Sequence, residues 1–387
     1  MKEKISITGL SSISSLGSKS DQIWANYLKG KNFLTVKKFD KFDAYVGAIS
    51  ENVNKEIENL RNSDTKYKKL DRSVLLAIYT SRNALSQVDW DTEFGVNIGS
   101  SRGATNLFEK FYDSFKDNEF GITETLTSPT TTLGNIASWV AQDLQTNGPA
   151  ISHSITCSTA LHAVLNGIAW IRSGMSKTFL VGGSEAANTA FTIAQMKALK
   201  IYTPLSTDEE FPCKSLDFDK KLNTMVIGEG AVSICLEKGI HEKALAIIEG
   251  IGYATEELKH SISISRAAVC FQKSMKMALK DANLETVDAI VMHAPGTLKG
   301  DLSEYKAIEA IFGEKTPALT SNKWKIGHTL GTSGVLSIEL AILMLQHQQF
   351  ITVPFSKHSI APKKLNTILV NSVGFGGNAV SILLSSK

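Results

Sequence analysis

The sequence predicts an α/β protein made of two similar halves, and two observations support this. Short buried strands alternate with helices along the whole chain, which is typical of sheets covered by helices. The order of elements in the first part of the chain also recurs in the second, which indicates an internal duplication. We see no linker rich in Pro, Gly or Ser between residues 1–240 and 241–387. We therefore expect these two halves to pack tightly into one unit.

The first half opens on an apolar run, 4–17, that predicts a buried strand followed by a loop. Residues 20–31 then predict a helix with Ser20 or Asp21 as its N-cap. The elements expected further along are a helix over 66–87, a strand over 94–101, a helix over 130–145, a strand from Ile151 into Cys157, a long apolar helix directly after Cys157, and a strand over 177–186.

The second half repeats this order with different residues. The elements expected are a strand over 244–254, a helix over 268–283, a strand over 288–297 that ends in a loop with His293, a strand and loop from Ala318 that precede a long apolar helix, and two strands over 367–386 around a glycine turn. His328 then lies near the start of an apolar helix, as Cys157 does in the first half. The two residues occupy matching positions of the duplication.

Composition excludes several classes of protein. Of 387 residues, 43% are hydrophobic and 20% are charged, which is ordinary for a globular chain and excludes wholesale disorder. A net charge of +3 does not suggest a nucleic-acid binder. None of the four cysteines forms a CxxC pair, so we expect reduced thiols and a cytoplasmic protein. Without a signal peptide or an apolar run of membrane length, we expect no membrane association.

Three residues are candidates for chemistry. A thiol at a helix N-terminus has a lowered pKa, so Cys157 is a candidate nucleophile, and backbone N–H groups there would hold an oxyanion. His293 and His328 lie in loops at strand ends, where α/β proteins bind ligands. Each has a structural alternative, because buried cysteines and satisfied interior histidines are common. The remaining histidines are interpreted as structural or solvated: His153, His162, His241, His260, His347 and His358.

Five sequence blocks in the correct order resemble the β-ketoacyl-acyl carrier protein synthases of the thiolase superfamily, of the elongating type with a Cys-His-His triad. The resemblance runs along almost the whole chain. It rests on the TCSTALHA block at 156–163, FDKKLNTMVIGEGA at 218–231, HAPGTLKGDLSE at 293–304, KWKIGHTLGTSG at 323–334 and NSVGFGGNA at 371–379. It implies a thiolase-like fold in which two duplicated βαβ-type halves form a five-layered α-β-α-β-α core.

The resemblance also implies an acyltransferase activity and a role for each site residue. Cys157 would accept an acyl group as a thioester, and His293 and His328 would assist the decarboxylation of malonyl carrier protein. Lys323 would tune the charge of the site. The backbone N–H groups of Cys157 and Phe375 would form the oxyanion hole, with the Phe375 side chain as a gate.

Substrates, partners and cofactors follow from the same resemblance. Acyl carrier protein would deliver both substrates on its phosphopantetheine arm, which Thr297 would help to hold. No metal and no organic cofactor is expected. We expect a homodimer whose interface includes part of the apolar stretches around 151–190, with a heterodimer as the alternative.

The chain departs from the family pattern at a few positions. Pro295 replaces a threonine that normally helps to hold the pantetheine arm. Ser337 replaces a glutamate that belongs to the charge network of Lys323, and Glu339 lies two positions further on. These changes suggest a specialised synthase, for example in polyene or polyketide synthesis. Two other functions stay open: a catalytically weak homologue that serves as a heterodimer partner, and a module that only docks carrier protein.

Overall fold

A computed structural model describes residues 3–133, 135–258 and 264–387. Its strands are β1 (Ile5–Ile13), β2 (Thr35–Phe39), β3 (Phe42–Gly47), β4 (Gly95–Gly99), β5 (Ala150–Ile151), β6 (Thr178–Glu185), β7 (Ile227–Gly228), β8 (Gly230–Lys238), β9 (Ala246–Thr255), β10 (Ala289–Val291), β11 (Ala318–Thr320), β12 (Thr367–Gly374) and β13 (Asn378–Ser385). Its α-helices are α1 (Ser20–Leu28), α2 (Glu51–Ser63), α3 (Arg72–Leu85), α4 (Thr105–Asp117), α5 (Thr127–Thr131), α6 (Asn135–Leu144), α7 (Thr159–Arg172), α8 (Ala190–Ala198), α9 (Val269–Ala282), α10 (Leu298–Phe312), α11 (Lys323–Ile326) and α12 (Ser333–His347).

The strand order confirms the duplication. From the middle outward, the first half runs β1-β8-β6-β4-β5 and the second runs β9-β13-β12-β10-β11. In each half the two outer pairings are parallel and the two inner pairings are antiparallel. Strands β1 and β9 pair with each other in antiparallel fashion and join the halves. A separate three-stranded sheet, β2-β3-β7, lies outside this arrangement.

Alternating burial along the strands shows that both faces of each half-sheet are covered. In β6, Phe179 and Val181 belong to the central apolar core, whereas Leu180 belongs to the core on the opposite face. In β12, Ile368 is central and Leu369 faces the other way. Helices α7 and α12 fill the central layer, α3 and α6 cover one outer face, and α9 and α10 cover the other. The five-layered core is confirmed.

Helix α12 is the most apolar element of the central layer. The stretch Leu330–His347 is long and apolar enough to cross a membrane, but 89% of it is buried inside the protein. It is therefore a core helix packed between the two half-sheets. All four cysteines carry free thiols, as expected from their spacing.

The predicted elements are present, but several boundaries differ. The strand predicted from Ile151 into Cys157 is limited to β5 (Ala150–Ile151), and the segment after it is irregular. The first helix is capped by Lys19 without a side-chain hydrogen bond, so the predicted Ser20 or Asp21 cap is wrong. The helix expected over 66–87 starts only at Arg72, whose preceding Asp71 accepts a hydrogen bond from the Ser73 N–H. The sequence analysis did not predict helices α2, α4, α8, α10 and α11 or strands β2, β3, β7 and β8. The division of the chain at residue 240 stays a prediction.

Candidate active site

One cavity of about 390 Å³ brings most of the predicted site residues together. Its wall includes Cys157, His293, His328, Thr297 and Phe375. These residues come from loops at the ends of strands in both halves, as expected for ligand sites of α/β proteins. Lys323 is buried, at 1% exposed, and does not line the cavity.

Cys157 lies in a tight turn directly before α7. Thr156 adopts a left-handed backbone conformation with φ +46°, which is uncommon for a residue with a side chain. The turn packs closely against Gly374, where an added Cβ would lie 1.9 Å from Thr156 Oγ1. Only glycine fits at 374, because the backbone there approaches the turn that carries Cys157 so closely.

The second half of the chain holds the Cys157 peptide in place. The Cys157 carbonyl accepts hydrogen bonds from Ser372 Oγ at 3.2 Å and from Ser333 Oγ at 3.4 Å. Ser372 belongs to β12 and Ser333 is the first residue of α12. Two elements of the C-terminal half therefore fix a loop that the N-terminal half supplies.

Burial, together with a smaller effect of the nearby Glu185 carboxyl, raises the pKa of the Cys157 thiol to about 12. Lys323 and Arg102 act in the opposite direction but do not cancel the effect of burial. The sequence predicted a lowered pKa from the helix N-terminus, and this prediction is wrong for the free protein. Helix α7 begins two residues later, at Thr159, and loss of hydration outweighs its dipole.

His293 follows β10 and is fixed through its backbone. Its N–H donates to Glu304 Oε1 at 3.0 Å, and the next N–H, of Ala294, donates to Glu304 Oε2 at 2.9 Å. Asn371 Nδ2 also donates to Glu304 Oε1, at 3.2 Å. The His293 Nδ1 atom lies 3.5 Å from Ser372 Oγ, the hydroxyl that also donates to the Cys157 carbonyl.

Two backbone hydrogen bonds to the segment around β7 hold His328 at the cavity. Its N–H donates to the Val226 carbonyl at 2.7 Å, and its carbonyl accepts from the Gly228 N–H at 3.0 Å. The His328 and His293 rings meet edge to face, with centroids 5.1 Å apart. Burial and the Lys323 ammonium lower the pKa of His328 to about 3, and burial also lowers that of His293. Both rings are neutral near pH 7.

Lys323 is held by neutral groups. Its Nζ donates to Asn322 Oδ1 at 2.8 Å and to Ser337 Oγ at 3.3 Å. Glu339 does not replace the missing acid, because its carboxylate accepts from Ser12 Oγ at 2.6 Å on another side of α12. Burial lowers the pKa of Lys323 to about 8. Among the described residues, Lys323 forms no ion pair.

The remaining predicted site residues, Thr297 and Phe375, also line the cavity. Thr297 caps α10 by accepting the Gly300 N–H at 3.2 Å, and its backbone N–H donates to Asp301. Pro295 lies beside it and offers no hydroxyl. Phe375 is 38% exposed, a position that suits a gate. In the described part of the chain, neither the Cys157 nor the Phe375 N–H donates a hydrogen bond, so both are free to hold an oxyanion.

Sequence reasoning missed several residues beside the cavity. Arg102 lines it, and buried Glu185 accepts the Gly331 N–H at 3.1 Å behind Cys157. Ser333 and Ser372 were not singled out either. The available signal was position: each of these residues ends or follows a predicted strand, or starts a helix, on the side of the fold that carries Cys157.

His153 and His162 are hydrogen-bonded as structural histidines, and His260 lies outside the described residues.

A duplicated α/β fold with a cysteine and two neutral histidines on one cavity defines the class, a condensing enzyme of the acyltransferase type. The model of the β-ketoacyl synthase N-terminal domain matches residues 2–241, and that of the C-terminal domain matches 245–354. The chain belongs to the β-ketoacyl synthase family.

Similar proteins cover the whole chain. The 3-oxoacyl-[acyl-carrier-protein] synthase 2 of Coxiella burnetii is 28% identical over 99% of both chains. Two solved structures share the fold over 100% of both chains. The ishigamide ketosynthase/chain length factor has a TM-score of 0.87 at 20% identity. A type II polyketide synthase acyl-carrier protein in complex with its ketosynthase has a TM-score of 0.86 at 19% identity.

The raised pKa of Cys157 predicts how the free thiol reacts with an alkylating agent. We expect the rate of Cys157 alkylation by iodoacetamide to rise steadily between pH 7 and pH 10, because only the thiolate reacts. The measurement is peptide mass spectrometry of the Cys157 peptide over time at each pH, with a free cysteine peptide as the reference. A plateau that begins near pH 7 would contradict the raised pKa.

A carboxylate placed beside Lys323 tests how its charge is set. In Ser337→Glu we expect the pKa of Lys323 to rise by about one unit, because a nearby opposite charge favours the ammonium. The basic limb of the pH–rate profile for condensation would then move to higher pH. The control is Ser337→Ala, which removes the hydroxyl and adds no charge, so its basic limb stays or moves to lower pH. An unchanged limb in Ser337→Glu would exclude Lys323 as the titrating group.

Proposed function

We propose that the chain catalyses the decarboxylative Claisen condensation of malonyl carrier protein with an acyl group held on Cys157, in fatty acid or polyketide synthesis. The observation that carries this proposal is the placement of Cys157, His293 and His328 on the wall of one cavity. The three residues have the chemistry that the two half-reactions require.

In the first half-reaction, Cys157 Sγ attacks the thioester carbonyl of acyl carrier protein. The oxyanion forms against the Cys157 and Phe375 N–H groups. The thiol proton passes to the departing pantetheine sulfur, and the acyl group remains on Cys157 as a thioester. Because the resting thiol is protonated, this proton transfer accompanies attack rather than preceding it.

In the second half-reaction, the malonyl group loses carbon dioxide and leaves an enolate. A neutral imidazole carries one N–H donor, so His293 and His328 each donate a hydrogen bond to the thioester oxygen where negative charge develops. The enolate carbon attacks the acyl carbon, and the new C–C bond replaces the bond to Cys157 Sγ. The released thiolate takes a proton from solvent, which restores the resting enzyme.

The proposed reaction uses no metal and no organic cofactor. The support is chemical, because loss of carbon dioxide itself supplies the carbanion that another enzyme would obtain from a cofactor. The proposed partner is acyl carrier protein, which the names of the Coxiella burnetii relative and of the complexed ketosynthase both contain. A cytoplasmic location is proposed from the four free thiols.

A homodimer is proposed from two features of the surface. Strand β5, in the predicted region 151–190, forms one outer edge of the large sheet, and open edges favour pairing with another chain. An apolar patch also lies on α4 and the segment after it. Its residues and their exposed fractions are Phe108 62%, Tyr112 52%, Phe120 62%, Ile122 81% and Leu133 51%. The ketosynthase/chain length factor relative makes a heterodimer the alternative.

Covalent acylation tests the proposed function most directly. Mixed with medium-chain acyl carrier protein, the wild type should gain the mass of one acyl group, and Cys157→Ala should gain none. The measurement is intact-protein mass spectrometry, followed by peptide mapping to Cys157. No adduct with any acyl primer would contradict the proposal and favour the role of a catalytically weak partner.

Charged substitutions in the apolar patch test the dimer. We expect the wild type to have the mass of two chains by light scattering, and Phe108→Asp combined with Ile122→Asp to have the mass of one. The control is Ile360→Asp, which changes an apolar residue that is 72% exposed and lies outside the patch. A monomeric wild type, or a dimer that survives both patch substitutions, would refute this assembly.

A further inference from the structure

The cavity wall combines apolar side chains with one guanidinium. Met196, Ile201 and Leu330 give it the apolar character expected of an acyl site. Arg102 lines the same cavity as Cys157. The Arg102 side chain is only partly buried, and its donors lose their contact with water only when a ligand covers them. The reaction proposed above gives Arg102 no part, and an alkyl chain offers its guanidinium no acceptor.

Arg102 is held at only one end of its guanidinium. Its Nη2 atom donates to Thr192 Oγ1 at 3.3 Å and to the Gln195 side chain, both on α8. Its Nε and Nη1 atoms donate to no described residue, and neither is a buried atom without a partner. The nearby Glu109 carboxylate accepts from Thr189 Oγ1 at 2.7 Å and forms no ion pair with Arg102 among the described residues.

The position of Arg102 suits contact with the acyl chain rather than with the pantetheine arm. Helix α8, which anchors Arg102, also supplies Met196 to the wall. Thr297 lies on a different element, at the start of α10. An acyl group on Cys157 that extends along α8 would therefore meet the two free donors.

We propose that Arg102 is a specificity-determining residue that selects acyl chains carrying an oxygen acceptor, a carbonyl or a carboxylate, a few carbons beyond the thioester. The inference rests on the proposed function, because it concerns the acyl group held on Cys157. A chain oxygen satisfies Nε and Nη1 with charge-assisted hydrogen bonds. A saturated chain excludes water from the same donors and offers no acceptor in its place.

The test compares thioesters of similar length on carrier protein: hexanoyl, 5-oxohexanoyl and glutaryl. The measurement is the single-turnover rate of Cys157 acylation, followed by intact mass. In the wild type, at least one oxygen-bearing chain should react roughly tenfold faster than hexanoyl, the factor that one charge-assisted hydrogen bond typically supplies. Comparison of the 5-oxohexanoyl and glutaryl rates shows whether a carbonyl or a carboxylate is the preferred acceptor.

Two variants of Arg102 and one control separate specificity from folding. Arg102→Met keeps side-chain length without charge, and it should lose the preference while hexanoyl reacts as fast or faster. Arg102→Lys should keep part of it, chiefly for glutaryl. The control Arg61→Met changes an arginine on α2 that pairs with Glu58, and it should keep the full preference.

The outcomes separate this inference from the proposed function. A wild type that reacts equally with all three chains, or an Arg102→Met variant that keeps the preference, would overturn the role of Arg102 and leave the condensation intact. Failure of every thioester to acylate the wild type would overturn the proposed function and this inference with it.

Discussion

The shared central layer is the constraint on which the rest of the molecule depends. Helices α7 and α12 are buried between the two half-sheets, and one apolar core contains residues from both halves. The turn before each helix is thereby brought to the same side of the layer. Cys157 precedes α7 and His328 precedes α12, so packing of the duplicated helices brings together two residues that are far apart in the sequence.

The same arrangement explains how the site is made rigid. Non-glycine residues with positive φ lie near each candidate: Thr156 directly before Cys157, Ala294 directly after His293 and Leu330 two residues after His328. Such conformations cost free energy and persist only where the surroundings impose them. Here the surroundings are the hydroxyls of Ser333 and Ser372 and the Glu304 carboxyl, all of which bind backbone atoms of the site.

The sequence predicts the architecture well because both half-sheets are buried on two faces. Strands such as β6 and β12 are then nearly continuous apolar runs that local pattern identifies. Predicted residues also meet in one cavity, because their positions at strand ends follow from topology. Charge states were not predictable in this way. The pKa of Cys157 depends on how much water the folded chain excludes, and the neighbours of Arg102 come from a helix about 90 residues away in the sequence.

The acid of α12 lies at Glu339 and not at position 337, and this has a consequence for comparing related chains. Two residues along an α-helix correspond to a rotation of about 200°, so the acid at 339 faces Ser12 while position 337 faces Lys323. Two relatives can thus each carry one glutamate in this helix and still differ in the charge beside Lys323. If subgroups of the family are defined by the presence of an acid anywhere in this stretch, the two relatives fall into one group. If they are defined by the helical face that carries the acid, the two relatives are separated.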